Sequence, residues 1–193
     1  MKRTAVLLYD GFCNFEFSVA LEMLVMAGKP ITVFAKAIKP IRSEEGLVAI
    51  AEKTIDKVNM DEYDSLLLTG SADLRDAAED EAVLAFIKGF DRSDIIIGAI
   101  SIAPIMLLKL GMLDGKRFMI GVNKEDLLEE GFTQKDMELM TGWDDNLKNP
   151  IPEGYIQAEN IITSVSYGFV KWAMAFGRAL GLDVDPGAFG LDM

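Results

Sequence analysis

The residue best placed to do chemistry is Ser101, in the stretch DIIIGAISIAPIMLLKLG from Asp94 to Gly111. It follows the isoleucine run Ile95–Ile97 and precedes a segment with helical patterning from Ile102. A short β-branched run bounded by turn residues reads as a strand buried on both faces of a parallel sheet. Pro104 suits a first helical turn and Gly111 a C-terminal cap. Ala99 and Ala103 flank the serine two residues away on either side. Small residues there let strand and helix approach closely, a relaxed G-x-S-x-G elbow that presents one side chain at the carboxyl edge of the sheet. The N–H groups of Ile102 and Ala103, at the helix start, would point towards developing negative charge. The same residues also fit an ordinary strand-turn-helix with a serine N-cap.

A serine needs a base, and the 193-residue chain contains no histidine. That excludes Ser-His-Asp and Cys-His arrangements within one chain, together with zinc sites of the usual Cys/His type. The expectation is a protein without metal or cofactor. Cys13, the one cysteine, excludes an intrachain disulfide and fits a reducing cytoplasm. It reads either as a relocated thiol at the pocket or as a small semi-buried loop residue. A formal net charge of −12 opposes nucleic acid and anionic membrane surfaces. No apolar run reaches the roughly 18 residues that span a bilayer. The apolar run near the N-terminus meets Asp10 after about five residues, which suits a first strand and not a signal peptide.

The elements that must position Ser101 alternate in type. Strands are expected at Thr4–Tyr9, Ile31–Ala35, Leu47–Ala51 (in a hairpin or at an edge), Ser65–Leu68 and Arg117–Ile120. Tyr155–Ala158 and Ile161–Ser164 read as a hairpin around Glu159-Asn160. Helices are expected over Phe15–Ala27, capped by Gly28, from Asp80 through Phe90, and over Gly168–Leu180, stopped by Gly181. Phe17, Leu21, Leu24 and Val25 share one face of the first. Methionines such as Met23, Met26, Met106 and Met112 suit gap-filling in a core. Residues 124–150 are acidic and poor in β-branched residues, an insertion or lid in which Trp143 is a candidate pocket residue. Residues 182–193 read as a tail. The alternation predicts one α/β domain over 1–193, a doubly wound, mostly parallel, flavodoxin-like sheet.

Three separated segments carry a resemblance: KRTAVLLYDGFCNFE with its helix, DEYDSLLLTG, and IGAISIAP. In that order and spacing the chain resembles the ThiJ/PfpI (DJ-one-like) superfamily, which shares the class I glutamine amidotransferase-like fold. IITSVSYGFVKWAMAFGRALG is similar to the family's closing hairpin and helix. The resemblance implies that Ser101 stands where the family has its elbow cysteine and that Glu16 stands where a glutamate contacts that cysteine. It also implies that Thr69-Gly70-Ser71 replaces a Pro-Gly-Gly turn. Gly70, Ser71 and Ile102 would then supply oxyanion-hole amides. The protease/amidase branch has a histidine after its cysteine; Ile102 stands there. The resemblance further implies a homodimer.

Serine for cysteine matters, because an unperturbed thiol is already a few per cent thiolate at neutral pH and a hydroxyl is not. Three readings follow. In the first, the protein has lost cysteine chemistry and binds a small molecule or acts as a regulator. In the second, it is a hydrolase or hydratase of small amide or carbonyl compounds that uses Ser101 with Glu16. In the third, Ser101 is an engineered replacement for a natural cysteine.

Overall fold

The computed structural model describes residues 1–122, 124–129, 134 and 151–191. The isoleucine run does form an internal strand. The sheet contains β1 (Arg3–Leu7), β2 (Ile31–Ala35), β5 (Lys53–Thr54), β6 (Tyr63–Leu68), β7 (Ile96–Ile100), β8 (Ile156–Ala158) and β9 (Ile161–Ser164). Their order is β5-β2-β1-β6-β7-β9-β8. Every pairing is parallel except that of β8 with β9. A separate antiparallel hairpin joins β3 (Pro40–Arg42) to β4 (Val48–Ile50).

Register fixes which helix covers which face. Val33, Val6, Leu67, Gly98 and Ile162 lie in one row across the sheet. That row meets α6 (Phe169–Ala179): a Cβ on Gly98 would be 2.9 Å from both Phe176 and Trp172. α1 (Asn14–Met26) packs beside α6. Phe34, one residue on, projects to the opposite face because strand side chains alternate. There it meets Phe86 of α3 (Glu81–Lys88) and Tyr63. Helices therefore cover both faces, as an α/β sandwich requires.

Further helical segments lie among the described residues. α2 (Arg75–Glu79) precedes α3, whose N-cap Asp80 accepts the Ala82 and Val83 amides. α4 (Pro104–Lys109) follows the elbow. α5 (Lys124–Glu129) buries Leu127, while Trp143 and most of the expected insertion lie outside the described residues. A 3₁₀ turn at Pro186–Phe189 occupies the tail, where Val184 and Phe189 rest on the core.

Two expectations are corrected. Arg117–Ile120 does not form a strand. Both edges of β9 are already taken, by β7 and β8, so Met119 N–H donates instead to the Thr163 side-chain oxygen at 2.8 Å. Phe118, Met119 and Ile120 are nonetheless buried. In α1, Val25 and Met26 face outward rather than into the core. Among the described residues no helix is long and apolar enough to cross a membrane.

Candidate active site

Ser101 directly follows β7 and precedes the helical turn into α4, with φ 62°. A non-glycine residue in this left-handed region costs on the order of 1–2 kcal/mol, so its surroundings must hold it. They do so through both backbone groups. Ser101 N–H donates to Ser164 O at 2.9 Å, and Ser101 O accepts from Gly121 N–H at 2.8 Å. Gly121 must be a glycine for this, because a Cβ there would lie 2.9 Å from Ser101 Cα.

Glu16 is the third residue of α1, a position whose carboxylate often folds back onto the N-cap amide. Here the N-cap amide, Cys13 N–H, is already bonded to Gly70 O at 2.8 Å. Glu16 is thereby released towards the elbow. It is 4 % exposed, and its Oε2 accepts from Gly70 N–H at 2.7 Å and from the Thr69 hydroxyl at 3.4 Å. Burial raises the Glu16 pKa above its usual 4.5, and hydrogen bonding by the Ser101 hydroxyl and the Gly70 amide opposes the rise. Gly70 sits between the two residues: a Cβ on it would be 2.8 Å from Ser101 Cβ and 2.9 Å from Ser101 Oγ, and would overlap Glu16 Oε2.

The three amides assigned to an oxyanion hole divide. Gly70 N–H is directed at Glu16, so it is not available to a substrate oxygen. Ser71 and Ile102 N–H have no hydrogen-bond acceptor among the described residues. Those two are the donors that remain.

Cys13 is buried but not activated. Burial, hydrogen bonding to Glu44 and the charge of Glu16 push its thiol well above the usual range, the reverse of what a nucleophile needs. Its sulfur also lies 3.6 Å from Glu45 Oε1. Glu45 comes from the β3–β4 turn and accepts the Asn14 and Phe15 amides at 3.2 and 3.1 Å. Its burial would raise its pKa, but the Ser43 hydroxyl and these two amides hold the carboxyl at about 2. Cys13, Glu44 and Glu45 place potential ligand atoms within 4.8 Å of one another, but both Glu45 oxygens are already engaged by α1.

Two residues that the sequence placed only in a strand end and a turn, Tyr9 and Thr69, also contact the site. Tyr9, buried and pushed well above its usual pKa by burial and by Glu16, donates its hydroxyl to Thr69 O. Thr69 in turn donates to Cys13 O at 2.6 Å. Neither carries a local sequence signal, because both act across about sixty residues of chain.

Comparisons with known proteins bear on the family and the fold. A sequence model described as the DJ-1/PfpI family matches residues 2–180. The protein named "Protein/nucleic acid deglycase 2" from Escherichia coli strain K12 is 29 % identical over 118 residues, 60 % of this chain and 69 % of that protein. "General stress protein 18" of Bacillus subtilis strain 168 is 27 % identical over 118 residues, again 60 % and 69 %. Among solved structures, a DJ-1 superfamily protein from Agrobacterium tumefaciens superposes with a TM-score of 0.78 at 17 % identity. The match covers 98 % of this chain and 95 % of that one, a likeness of fold.

Proposed function

Because the chain belongs to the DJ-1/PfpI family, we propose that its elbow binds a small carbonyl or amide compound without attacking it. The observation that carries this reading is what Ser101 faces. Its hydroxyl meets a buried carboxyl that already accepts the Gly70 amide, and the chain has no histidine. A positioned base contributes about 10²–10⁴-fold to such reactions, and a carboxyl is a weak base towards a hydroxyl. The Ser71 and Ile102 amides still offer two donors to a carbonyl oxygen. An anionic ligand would meet the Glu16 charge, so a neutral carbonyl or amide is the better fit.

The E. coli relative's name concerns deglycation, so glyoxal adducts belong in the test set with amides and isocyanides. Wild type should show no turnover above buffer, whereas Ser101→Cys should gain it. Equal turnover by both forms overturns the proposal. A second reading, hydrolase or hydratase action by Ser101 with Glu16, draws on the raised Glu16 pKa, which improves it as a base near neutrality. It requires wild-type turnover that Ser101→Ala and Glu16→Gln both abolish.

A cytoplasmic homodimer is part of the proposal. Ile38, Leu47, Val48 and Ile50, on and around the β3–β4 hairpin, are about half exposed or more. Clustered exposed apolar side chains of this kind suit burial between two copies. Light scattering on wild type and Val48→Asp/Ile50→Asp should show a dimer becoming a monomer.

A further inference from the structure

A cavity of about 640 Å³ opens beside the elbow, at the carboxyl ends of β1 and β2. Neither Ser101 nor Glu16 lines it. Tyr9, Gly11 and Ala72 do, and the Phe12–Ser71 bridge with the Ala72 N–H to Gly11 O bond ties their two loops together. Leu8, Ala35, Ile41, Ala77 and Val83 make an apolar floor, and all five are buried. The volume is that of an ordinary small-molecule site. Its position fits as well. The chain runs from β1 outward to β2 and later crosses to β6 on the other side of β1, so the strand order reverses between β1 and β6, and the cleft adjoins that point through Tyr9 after β1 and Ala72 after β6. Open α/β sheets bind ligands in the crevice at such a reversal.

The rim sets the ligand's charge. It carries Asp10, Asp73, Asp76 and Asp80 against Lys36 and Lys39, four negative groups and two positive. Lys39 lies 3.4 Å from Asp10, and Lys36 is paired with Asp80. Asp73 holds Arg75 at 2.5 Å. Asp76 has no ion pair or side-chain hydrogen bond among the described residues. An anion would face this rim and a chain of net charge −12.

We propose that this cleft is a second ligand site, separate from the elbow, that takes a primary amine on an apolar aromatic or branched body. The apolar body covers the floor and the ammonium pairs with Asp76. The rim is solvent-exposed, so that pair is worth a few-fold in affinity and not orders of magnitude.

Three matched indoles test it: tryptamine, neutral tryptophol and indole-3-propionate, followed by saturation-transfer NMR and calorimetry on the full chain. Tryptamine should bind about ten-fold tighter than the propionate, with tryptophol between, and added salt should narrow the gap. Asp76→Asn should cost tryptamine about three-fold and leave tryptophol unchanged. Ala72→Trp, at an exposed lining residue, should block all three, with an unchanged urea midpoint as the check on folding. Ser101→Ala should leave all three affinities intact, which separates this site from the elbow proposal. Equal affinity for amine and acid, tryptamine binding that survives Ala72→Trp or fails in Ser101→Ala, or no saturation transfer from any indole overturns the assignment.

Discussion

Gly70→Ala tests whether Glu16 and Ser101 truly converge on one backbone position. The added methyl would lie 2.8 Å from Ser101 Cβ and 2.9 Å from Ser101 Oγ, and inside the radius of Glu16 Oε2. Ordinary contacts begin near 3.4 Å, so at least two groups must move by half an ångström or more. Ser101 cannot retreat easily, because its amide and carbonyl are tied to Ser164 and Gly121. Glu16 must give way, which weakens its 2.7 Å bond from the Gly70 amide. Overpacking costs about 1–3 kcal/mol, and a hydrogen bond to a charged group is worth about 1.5–3 kcal/mol. A loss of about 3 kcal/mol is expected, shifting a urea midpoint down by about 1 M at an m-value near 3 kcal/mol/M. Gly115→Ala is the control: its φ is +70°, yet a Cβ there meets nothing within 4 Å. It should cost only the left-handed penalty, on the order of 1–2 kcal/mol. A Gly70→Ala midpoint equal to wild type, or above that of Gly115→Ala, refutes the convergence.

Three other outcomes can be measured alongside. Glu16→Gln should remove one component of the pH dependence of stability. The raised native pKa means that Glu16 binds more protons in the native state than in the unfolded state just above pH 4.5, so its own contribution falls as pH rises through that window, against the rise supplied by Glu45, whose pKa is lowered. A stability difference between wild type and Glu16→Gln that rises with pH through the same window contradicts the sign. Tyr63 has a buried hydroxyl without a partner among the described residues, so Tyr63→Phe should hold stability or raise it by about 1 kcal/mol; a clear loss would reveal a bond. Cys13 should react with iodoacetamide far more slowly in the native protein than after urea unfolding, by intact-mass kinetics, because burial and its acidic neighbours oppose the thiolate; native labelling at the unfolded rate contradicts this.

Most of the sheet was legible in the sequence because its signals are local, whereas the two-residue edge strand β5 carried none. Ile95–Ile97 announced an internal strand, and Ala99, Ser101 and Pro104 announced the elbow. The placement of Glu16 came from the family resemblance, and in the fold its carboxyl meets Gly70 and Ser101. What sequence could not show is how long-range partners divide limited groups. Nothing near Gly70 says that its amide goes to Glu16, or near Cys13 that its own goes to Gly70. Arg117–Ile120 has strand composition, but composition cannot reveal that β9 has no free edge. α2 escaped notice because its five residues, RDAAE, offer only two alanines to the core.

The Glu45 carboxylate has a consequence for how motion in this molecule can be observed. The first amides of a helix have no intrahelical acceptor, and they ordinarily exchange their hydrogens with water as fast as the helix end frays. Asn14 and Phe15 are held instead by a residue about thirty positions away in the turn between β3 and β4. Their exchange therefore clocks the detachment of that turn and not the fraying of α1. Two amides adjoining Glu16 thus act as a gauge of the hairpin, readable in solution without a ligand or a label.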